Sequence, residues 1–156
     1  MSPVNDSSRA IGLWLLLLCA MIFVMVVVGG VTRLTQSGLS IAEWKPVVGA
    51  VPPLSEKAWQ EEFAIYRRTP EYLKVNAGMD LSGFQRIYFM EWAHRLWGRL
   101  IFFAALLPLI YFRMRRRIPP GYGWALAAVP VGVALNGALG WLMVASGLVD
   151  IPRVSA

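Results

Sequence analysis

An uncharged apolar run from Ile11 to Val31 is the feature that most constrains the fold of this chain. A run of about 20 residues is long enough to cross, as a helix, a hydrocarbon core that is roughly 30 Å thick. A cleaved signal peptide is the rival interpretation, because Arg9 precedes the run and Gly29 and Gly30 close it. The run exceeds the apolar part of a typical signal peptide, about 7–15 residues, and more spans follow. We therefore predict a transmembrane helix over residues 11–31.

Two further spans follow this first helix. A second helix is predicted over residues 83–115, because Ser82 begins an S-x-x-Q capping box and Pro119 lies just beyond the end. At ~1.5 Å per residue it is ~50 Å long. Because this length exceeds the thickness of the bilayer core, we predict that only residues 89–112 lie within the membrane and that the first turns of the helix lie outside it. A third span is predicted over residues 123–144.

The composition agrees with an integral membrane protein, since 57% of the 156 residues are hydrophobic and only 15% are charged. The net charge of +6 could suggest a nucleic-acid partner. Arginines at positions 113, 115, 116 and 117 follow the second span directly, and such clusters are typical of cytoplasmic segments. We therefore predict no nucleic acid partner and an all-α integral membrane fold. Residues 1–10 and a turn at 116–122 are assigned to the cytoplasm, and a loop at 32–82 and a tail at 145–156 to the exterior.

The predicted external loop is too rich in aromatic residues to be a disordered linker. Trp59, Phe63 and Tyr66 recur at i, i+4 and i+7, which indicates a short amphipathic helix within the loop. The pattern leaves three positions open for that helix: on the membrane surface, over the bundle as a simple cover, or as a lid over a functional site.

Residues 90–99, MEWAHRLWGR, place four ionisable side chains at the start of an otherwise apolar span. On a helix Glu91, His94, Arg95 and Gly98 share one face. Charged groups in a membrane helix are costly, so they usually face the bundle interior and carry function. Gly98 lies one turn after His94, and its missing side chain leaves a slot beside the imidazole for a flat ligand.

The residues alone support three interpretations of this cluster. His94 could be an axial ligand of haem iron, with Arg95 neutralising a propionate. Glu91 and His94 could instead form a proton relay in a transporter. In the third interpretation the cluster is structural: Glu91 pairs with Arg95, and His94 hydrogen-bonds a neighbouring helix.

Several longer motifs point to one family. They are GGVTRLTQSGLSIAEWKPVVGAVPPL, then WQEEF and Tyr66, then PEYLKVN, then FMEWAHRLWGR, and finally GALGWLMVASGLV in the third span. In this order they closely resemble the haem A synthase family, in the branch found in mitochondria and alphaproteobacteria. The likeness covers residues 29–149. Another branch carries a cysteine pair in the first external loop, whereas Cys19 is the only cysteine here.

The resemblance implies an eight-helix membrane enzyme built as two similar four-helix bundles. Members of this family oxidise the C8 methyl of haem O to the formyl of haem A, a cofactor of terminal oxidases. In their pattern His94 is a ligand of the haem iron, here taken as haem b, and Glu91 serves the catalytic site. Arg95 and Gly98, from their place on the same helix face, are predicted as further cofactor-binding residues. The implied partners are the bilayer, the substrate haem O, haem O synthase, oxidase assembly factors and a second copy in a homo-oligomer. The implied location is a bacterial inner membrane rather than a mitochondrial one.

The sequence departs from the family pattern at its end. It stops at Ala156, where the fourth helix and its histidine are expected, and it contains one of the four expected histidines. We interpret the chain as the first three helices of a four-helix haem-binding bundle, either a fragment or a truncated gene product. Alone it is not expected to complete the axial ligation of a haem. The alternatives are a non-catalytic haem-binding or oxidase-assembly subunit and a fragment of a transporter.

Overall fold

The computed structural model describes residues 3–43 and 48–147, and every regular element in them is helical. Three of the helices are long and apolar enough to cross a membrane, over Asp6–Leu34, Leu81–Met114 and Gly123–Ser146. The predicted all-α architecture with three membrane-spanning helices is confirmed. In chain order the elements are α1 (Pro3–Leu34), a 3₁₀ turn (Val48–Ala50), α2 (Glu56–Tyr66), α3 (Pro70–Lys74), α4 (Leu81–Met114) and α5 (Gly123–Gly147).

The helix ends differ from the predicted ones for local reasons. α1 does not stop at Gly29 and Gly30 but continues through both to Leu34. α4 begins two residues before Gly83, because Asp80 rather than Ser82 is its N-cap. The backbone NH of Gly83 donates to Asp80 Oδ1 over 2.8 Å, and the Ser82 hydroxyl also donates to this carboxylate. These bonds hold the pKa of Asp80 below its ordinary value.

Parts of two predictions lie outside the described residues. These are the Trp44-Lys45-Pro46 stretch of the long loop motif and residues 148–156 of the predicted external tail.

α1 and α4 both end in a Schellman motif whose left-handed position is not glycine. Gln36 has a φ of 52° and Arg116 a φ of 51°. After α1 the NH of Ser37 donates to the carbonyl of Thr32 over 3.0 Å, and the NH of Gln36 to that of Arg33 over 3.2 Å. These bonds satisfy the last carbonyls of α1 and turn the chain sharply into the long loop.

The chain divides into two compact units, of which the first contains residues Met1–Val27 and Trp97–Ala138. At its centre, a proline within α4 explains a hydrogen bond between α1 and α4. Pro108 has no NH, so it cannot donate to the carbonyl of Ala104 one turn earlier in α4. The indole NH of Trp14 donates to that carbonyl instead, over 2.7 Å. The buried core of this unit consists of Ile11, Trp14, Leu18, Ala105, Phe112 and Leu126.

The second unit contains residues Val28–Leu96 and Leu139–Ala156. Here the aromatic face of α2 packs on the first turns of α4, with Trp59 and Tyr66 buried against Phe84 and Tyr88. The Tyr66 and Phe84 rings stack with centroids 5.0 Å apart. The amphipathic loop helix predicted from the aromatic spacing therefore exists, and α4 covers its apolar face.

Candidate functional site

Glu91 is one of the most buried side chains of the protein, with 2% of its surface exposed. The loop that follows α1 supplies two donors to one oxygen of its carboxylate. The Ser40 hydroxyl lies 2.6 Å from Oε2 and the backbone NH of Ile41 donates to the same atom over 2.8 Å. A carboxylate buried in this way requires such donors, because desolvation of an unpaired charge is costly.

Arg95 holds the other oxygen of the Glu91 carboxylate. Its Nη2 donates to Glu91 Oε1 over 2.5 Å and to the backbone carbonyl of Ile41 over 3.0 Å. Ile41 therefore donates its NH to Glu91 and accepts from Arg95 with its carbonyl. This pair of bonds fastens the loop to one face of α4.

The local sequence explains how the loop reaches α4. Beyond Gln36, the hydroxyl of Ser37 donates to the carbonyl of Thr32 over 3.1 Å, and the Ser40 hydroxyl lies 3.0 Å from the carbonyl of Ser37. Short hydroxyl side chains readily make such bonds to nearby backbone. Ser37 is fully buried and Ser40 is 2% exposed. The TQSGLSI segment, residues 35–41, is thus a compact loop held by its own hydrogen bonds, and it places Ser40 and Ile41 against Glu91. We refer to this segment as the strap.

His94 lies on α4 one turn after Glu91, and its ring lies close to Gly29 of α1. A Cβ placed on Gly29 would lie 3.3 Å from His94 Nε2 and 3.7 Å from Cδ2. The first distance is tighter than nine in ten real Cβ contacts, so a side chain at this position would press on the ring. A Cβ on the adjacent Gly30 would meet nothing within 4 Å. Gly29 therefore permits the His94 ring to approach the backbone of α1 closely.

A side chain at Gly98 would contact Met25, whereas one at Gly29 would contact His94. A Cβ at Gly98 would lie 3.3 Å from the terminal methyl of Met25 on α1. The next residue towards the N-terminus, Trp97, donates its indole NH to the carbonyl of Met21 over 2.9 Å. The slot that we predict at Gly98 stays a prediction.

The structure thus brings Glu91 and Arg95 into one hydrogen-bonded group, as their i, i+4 spacing predicts, and adds two residues that the spacing does not reveal. Ser40 and Ile41 are some 50 residues away in sequence, and only the serine-rich TRLTQSGLSI motif hints at a polar role. Within residues 3–43 and 48–147 the His94 imidazole takes part in no hydrogen bond. The structural interpretation, in which His94 hydrogen-bonds a neighbouring helix, therefore finds no partner among these residues. The same residues hold no group of three or more His, Cys, Asp or Glu side chains suited to a metal ion.

Chemically, this arrangement offers a fixed carboxylate and an imidazole on one helix face. Three donors define the orientation of Glu91, so its oxygens cannot swing freely towards or away from a ligand. The imidazole lies close to the backbone of Gly29 through Nε2, the nitrogen through which histidine commonly binds a metal.

Comparison with known proteins agrees with the motifs. The chain is 50% identical over 147 residues to the heme A synthase of Sphingopyxis alaskensis. It is 53% identical over 148 residues to that of Beijerinckia indica subsp. indica and 50% identical over 151 residues to that of Caulobacter vibrioides. The aligned regions cover 94%, 95% and 97% of this chain but only 41%, 41% and 43% of these relatives. The chain therefore spans about two-fifths of the length of the curated relatives that it matches.

No solved structure matches the chain. A family model described as cytochrome oxidase assembly protein matches residues 12–156, which is most of the sequence. The family relationship inferred from the motifs is confirmed: this chain belongs to the cytochrome oxidase assembly protein family.

Proposed function

We propose that this chain forms the substrate-facing part of a haem A synthase, which oxidises the C8 methyl of haem O to a formyl group. The observation that carries the proposal is the fixed Glu91 carboxylate one turn from His94, whose Nε2 faces the bare backbone of Gly29. A plain structural ion pair needs neither the strap that supplies Ser40 and Ile41 nor an imidazole without a hydrogen bond one turn away. The relatives are named heme A synthase, and this name supplies the proposed product.

The residues present fit a haem b cofactor in one respect: within the described residues the His94 imidazole makes no hydrogen bond, so its nitrogen is available as an iron ligand. In the proposal His94 binds the iron, Arg95 lies near a propionate, and Gly98 is a further cofactor-binding residue. The bound haem would supply one-electron redox chemistry. His94 is the single histidine of this sequence that would hold the iron.

Glu91 has the catalytic role in this proposal. Its carboxylate is held by Arg95 on Oε1 and by Ser40 and Ile41 on Oε2. In that orientation it can accept a proton from the substrate methyl as it is oxidised, or stabilise positive charge that develops there. General acid–base groups of this kind contribute factors of about 10²–10⁴ to enzymatic rates.

The proposal is tested by product analysis. In a full-length background, with this chain carried within a haem A synthase of the relatives' length, the purified protein is supplied with haem O, a reductant and oxygen. Formation of a formyl-bearing haem supports the proposal. Bound haem without conversion would favour the alternative of a non-catalytic assembly subunit. Absence of any bound haem would favour the transporter alternative, and either result overturns the proposal.

The glycine pair in α1 provides a matched test of the haem site. Gly29→Ala should displace the His94 ring by a few tenths of an ångström and weaken or shift the haem absorption, because its Cβ would press on Nε2. Gly30→Ala should leave the absorption unchanged, because its Cβ meets nothing within 4 Å. The two variants make the same change in helix propensity, so only the contact differs. Identical spectra for both variants would count against a ligand at Nε2.

For the membrane orientation, we propose a cytoplasmic N-terminus and an external loop at residues 32–82, in a bacterial inner membrane. The basis is the arginine cluster after α4. Haem O synthase and oxidase assembly factors, which would supply the substrate and receive the product, are the proposed partners, and a homo-oligomer is the proposed assembly.

Cysteine labelling in intact cells tests this orientation. With Cys19 replaced by Ala, a membrane-impermeant thiol reagent should label Leu54→Cys, a position that is 85% exposed in the loop. Tyr122→Cys, in the turn before α5 and 63% exposed, should be labelled only in inverted vesicles. Leu54 is preferable to its neighbour Ser55, because Ser55 caps α2. The opposite labelling pattern would reverse the assigned topology.

A further inference from the structure

The end of α4 and the turn after it carry four arginines to which the proposed mechanism assigns no role. They are Arg113, Arg115, Arg116 and Arg117, and all four are exposed. Buried residues fix this segment on both sides. Phe112 before it is 6% exposed in the core of the first unit, and Ile118 after it packs against the same core. The arginines are therefore held at a defined place, at the end of a helix that is long enough to span a membrane.

The first unit has almost no negative charge with which to neutralise these arginines. Its residues Met1–Val27 and Trp97–Ala138 add two further arginines, Arg9 and Arg99, and a single acidic residue, Asp6. Within the described part of the chain, none of the four arginines forms an ion pair. The negative end of the α4 dipole amounts to only about half a charge, which does not balance four cations. An anion from outside the chain would therefore meet a favourable electrostatic field.

Arg116 has a backbone conformation that suits glycine better than arginine. Its φ of 51° lies in the left-handed region, where a Cβ is unfavourable. Five residues later Gly121 occupies the same region, with a φ of 85°. The Arg116 side chain makes no hydrogen bond among the described residues, so no contact within the fold offsets this conformational cost. The side chain is therefore available to a ligand outside the fold.

The chemical groups exposed at this turn suit the headgroup region of a bilayer. The backbone NH groups of residues 115–117 all donate to carbonyls at the end of α4, so the guanidinium groups remain to bind an anion. Arg117 is partly fixed, because its Nη1 donates to the Tyr111 hydroxyl over 3.3 Å and its guanidinium lies 5.7 Å from the centre of that ring. Tyr122 and Trp124, which are 63% and 78% exposed, follow directly. Exposed aromatic residues beside arginines are typical of the membrane interface.

We propose that the arginine turn, residues 113–117, binds the phosphate headgroup of an acidic phospholipid from the surrounding bilayer. Guanidinium groups bind phosphate oxygens through paired, charge-assisted hydrogen bonds. Clusters of about 4–8 basic residues directly beside a membrane span are typical of such lipid sites. A lipid is favoured over a soluble phosphate, because Met114, which is 77% exposed, lies among the arginines and offers an apolar contact. The inference does not depend on the proposed haem chemistry.

Lipid binding can be measured on the full-length protein without any assay of haem. The protein is purified in a neutral detergent and titrated with phosphatidylglycerol, or with phosphatidylcholine of the same acyl chains, and bound lipid is determined by native mass spectrometry. We expect phosphatidylglycerol to stay bound at concentrations where phosphatidylcholine does not. Equal retention of the two lipids would overturn the inference. Displacement of phosphatidylglycerol by an equal concentration of inorganic phosphate would also overturn it, because the ligand would then be a free anion.

The variant Arg116→Gly assigns the bound lipid to this turn. Glycine is favoured at a φ of 51°, so the variant should fold as well as wild type. It should bind phosphatidylglycerol about fivefold more weakly, the factor expected for one basic residue at an anionic surface. Arg115→Gln should show a similar loss and leaves the left-handed position unchanged, so a folding defect in the first variant would not remove the test.

Two control variants match the separate effects of Arg116→Gly. Gln36→Gly makes the same backbone change at the other left-handed residue, which has a φ of 52°. Lys57→Gln removes one positive charge from a side chain that is 88% exposed in α2. Both should bind phosphatidylglycerol as wild type does. Wild-type affinity in Arg116→Gly and Arg115→Gln, or an equal loss of affinity in the two controls, would show that the arginine turn is not the site.

Discussion

Glu91→Gln in the full-length background is expected to lower the rate of haem O conversion by about 10²–10⁴ while haem stays bound. The substitution keeps the shape of the side chain, and its amide carbonyl can still accept from the NH of Ile41. It removes the negative charge that faces Arg95 and the capacity to accept a proton. The measurement is the initial rate of haem A formation, with haem content determined in the same samples.

A graded series of variants separates this role from simple packing. Ser40→Ala removes the donor 2.6 Å from Oε2 and should have a smaller effect than Glu91→Gln, because the carboxylate keeps Ile41 and Arg95. Glu61→Gln, on the exposed face of α2, should behave as wild type. If Glu91→Gln forms haem A at the wild-type rate, then Glu91 is only half of a helix ion pair, a contact worth about 0.3–0.5 kcal/mol where exposed.

His94→Ala is expected to remove the haem absorption that depends on this bundle. Deleting the imidazole takes away the only histidine that the chain offers to iron. The fold should be affected less, because within the described residues this ring makes no hydrogen bond. Optical spectra of the purified full-length protein provide the measurement, and elution as a single membrane-protein species shows that the variant is folded.

Chemical rescue distinguishes a ligand from a packing residue in this variant. Free imidazole can enter the space that His94→Ala creates beside Gly29, and it should restore part of the lost absorption if the missing group is an iron ligand. A purely structural histidine gives no reason for such recovery. Wild-type haem content in His94→Ala without added imidazole would disprove the assignment of His94.

Features governed by local sequence were predictable. The three long helices follow from apolar run length, and the α2 helix follows from the spacing of Trp59, Phe63 and Tyr66. The pairing of Glu91 with Arg95 follows from their separation of four residues, which places the two side chains on one side of a helix. Each of these depends on neighbours within about two turns.

Two kinds of feature could not be predicted from the sequence: contacts between segments that are distant in the chain, and helix C-termini at which a residue other than glycine is left-handed. Nothing in the sequence around Glu91 reveals that Ser40 and Ile41 bind it, because this contact joins segments about 50 residues apart. A glycine usually marks a helix C-terminus, so the Gly29-Gly30 pair favours an end near residue 31, but the left-handed residue is Gln36. Gly29 lies inside α1 instead and permits the close approach of His94.

The start of α4 shows a related ambiguity. Asp80 and Ser82 are both good N-cap residues, and the glutamine three positions after Ser82 favoured the serine. The aspartate is the actual cap, because its carboxylate accepts from both Gly83 and Ser82. The sequence pattern alone does not decide between two N-cap residues that lie two positions apart.

The central claim is that a haem lies at His94 with Glu91 at its edge. An electron cryo-microscopy structure of the full-length protein with bound haem tests it most directly. We expect iron bonded to Nε2 of His94, the macrocycle beside Gly29, and the Glu91 carboxylate still held by Ser40 and Ile41. A structure in which haem is bound elsewhere, with the His94 imidazole packed against protein and no iron at Nε2, would contradict the account.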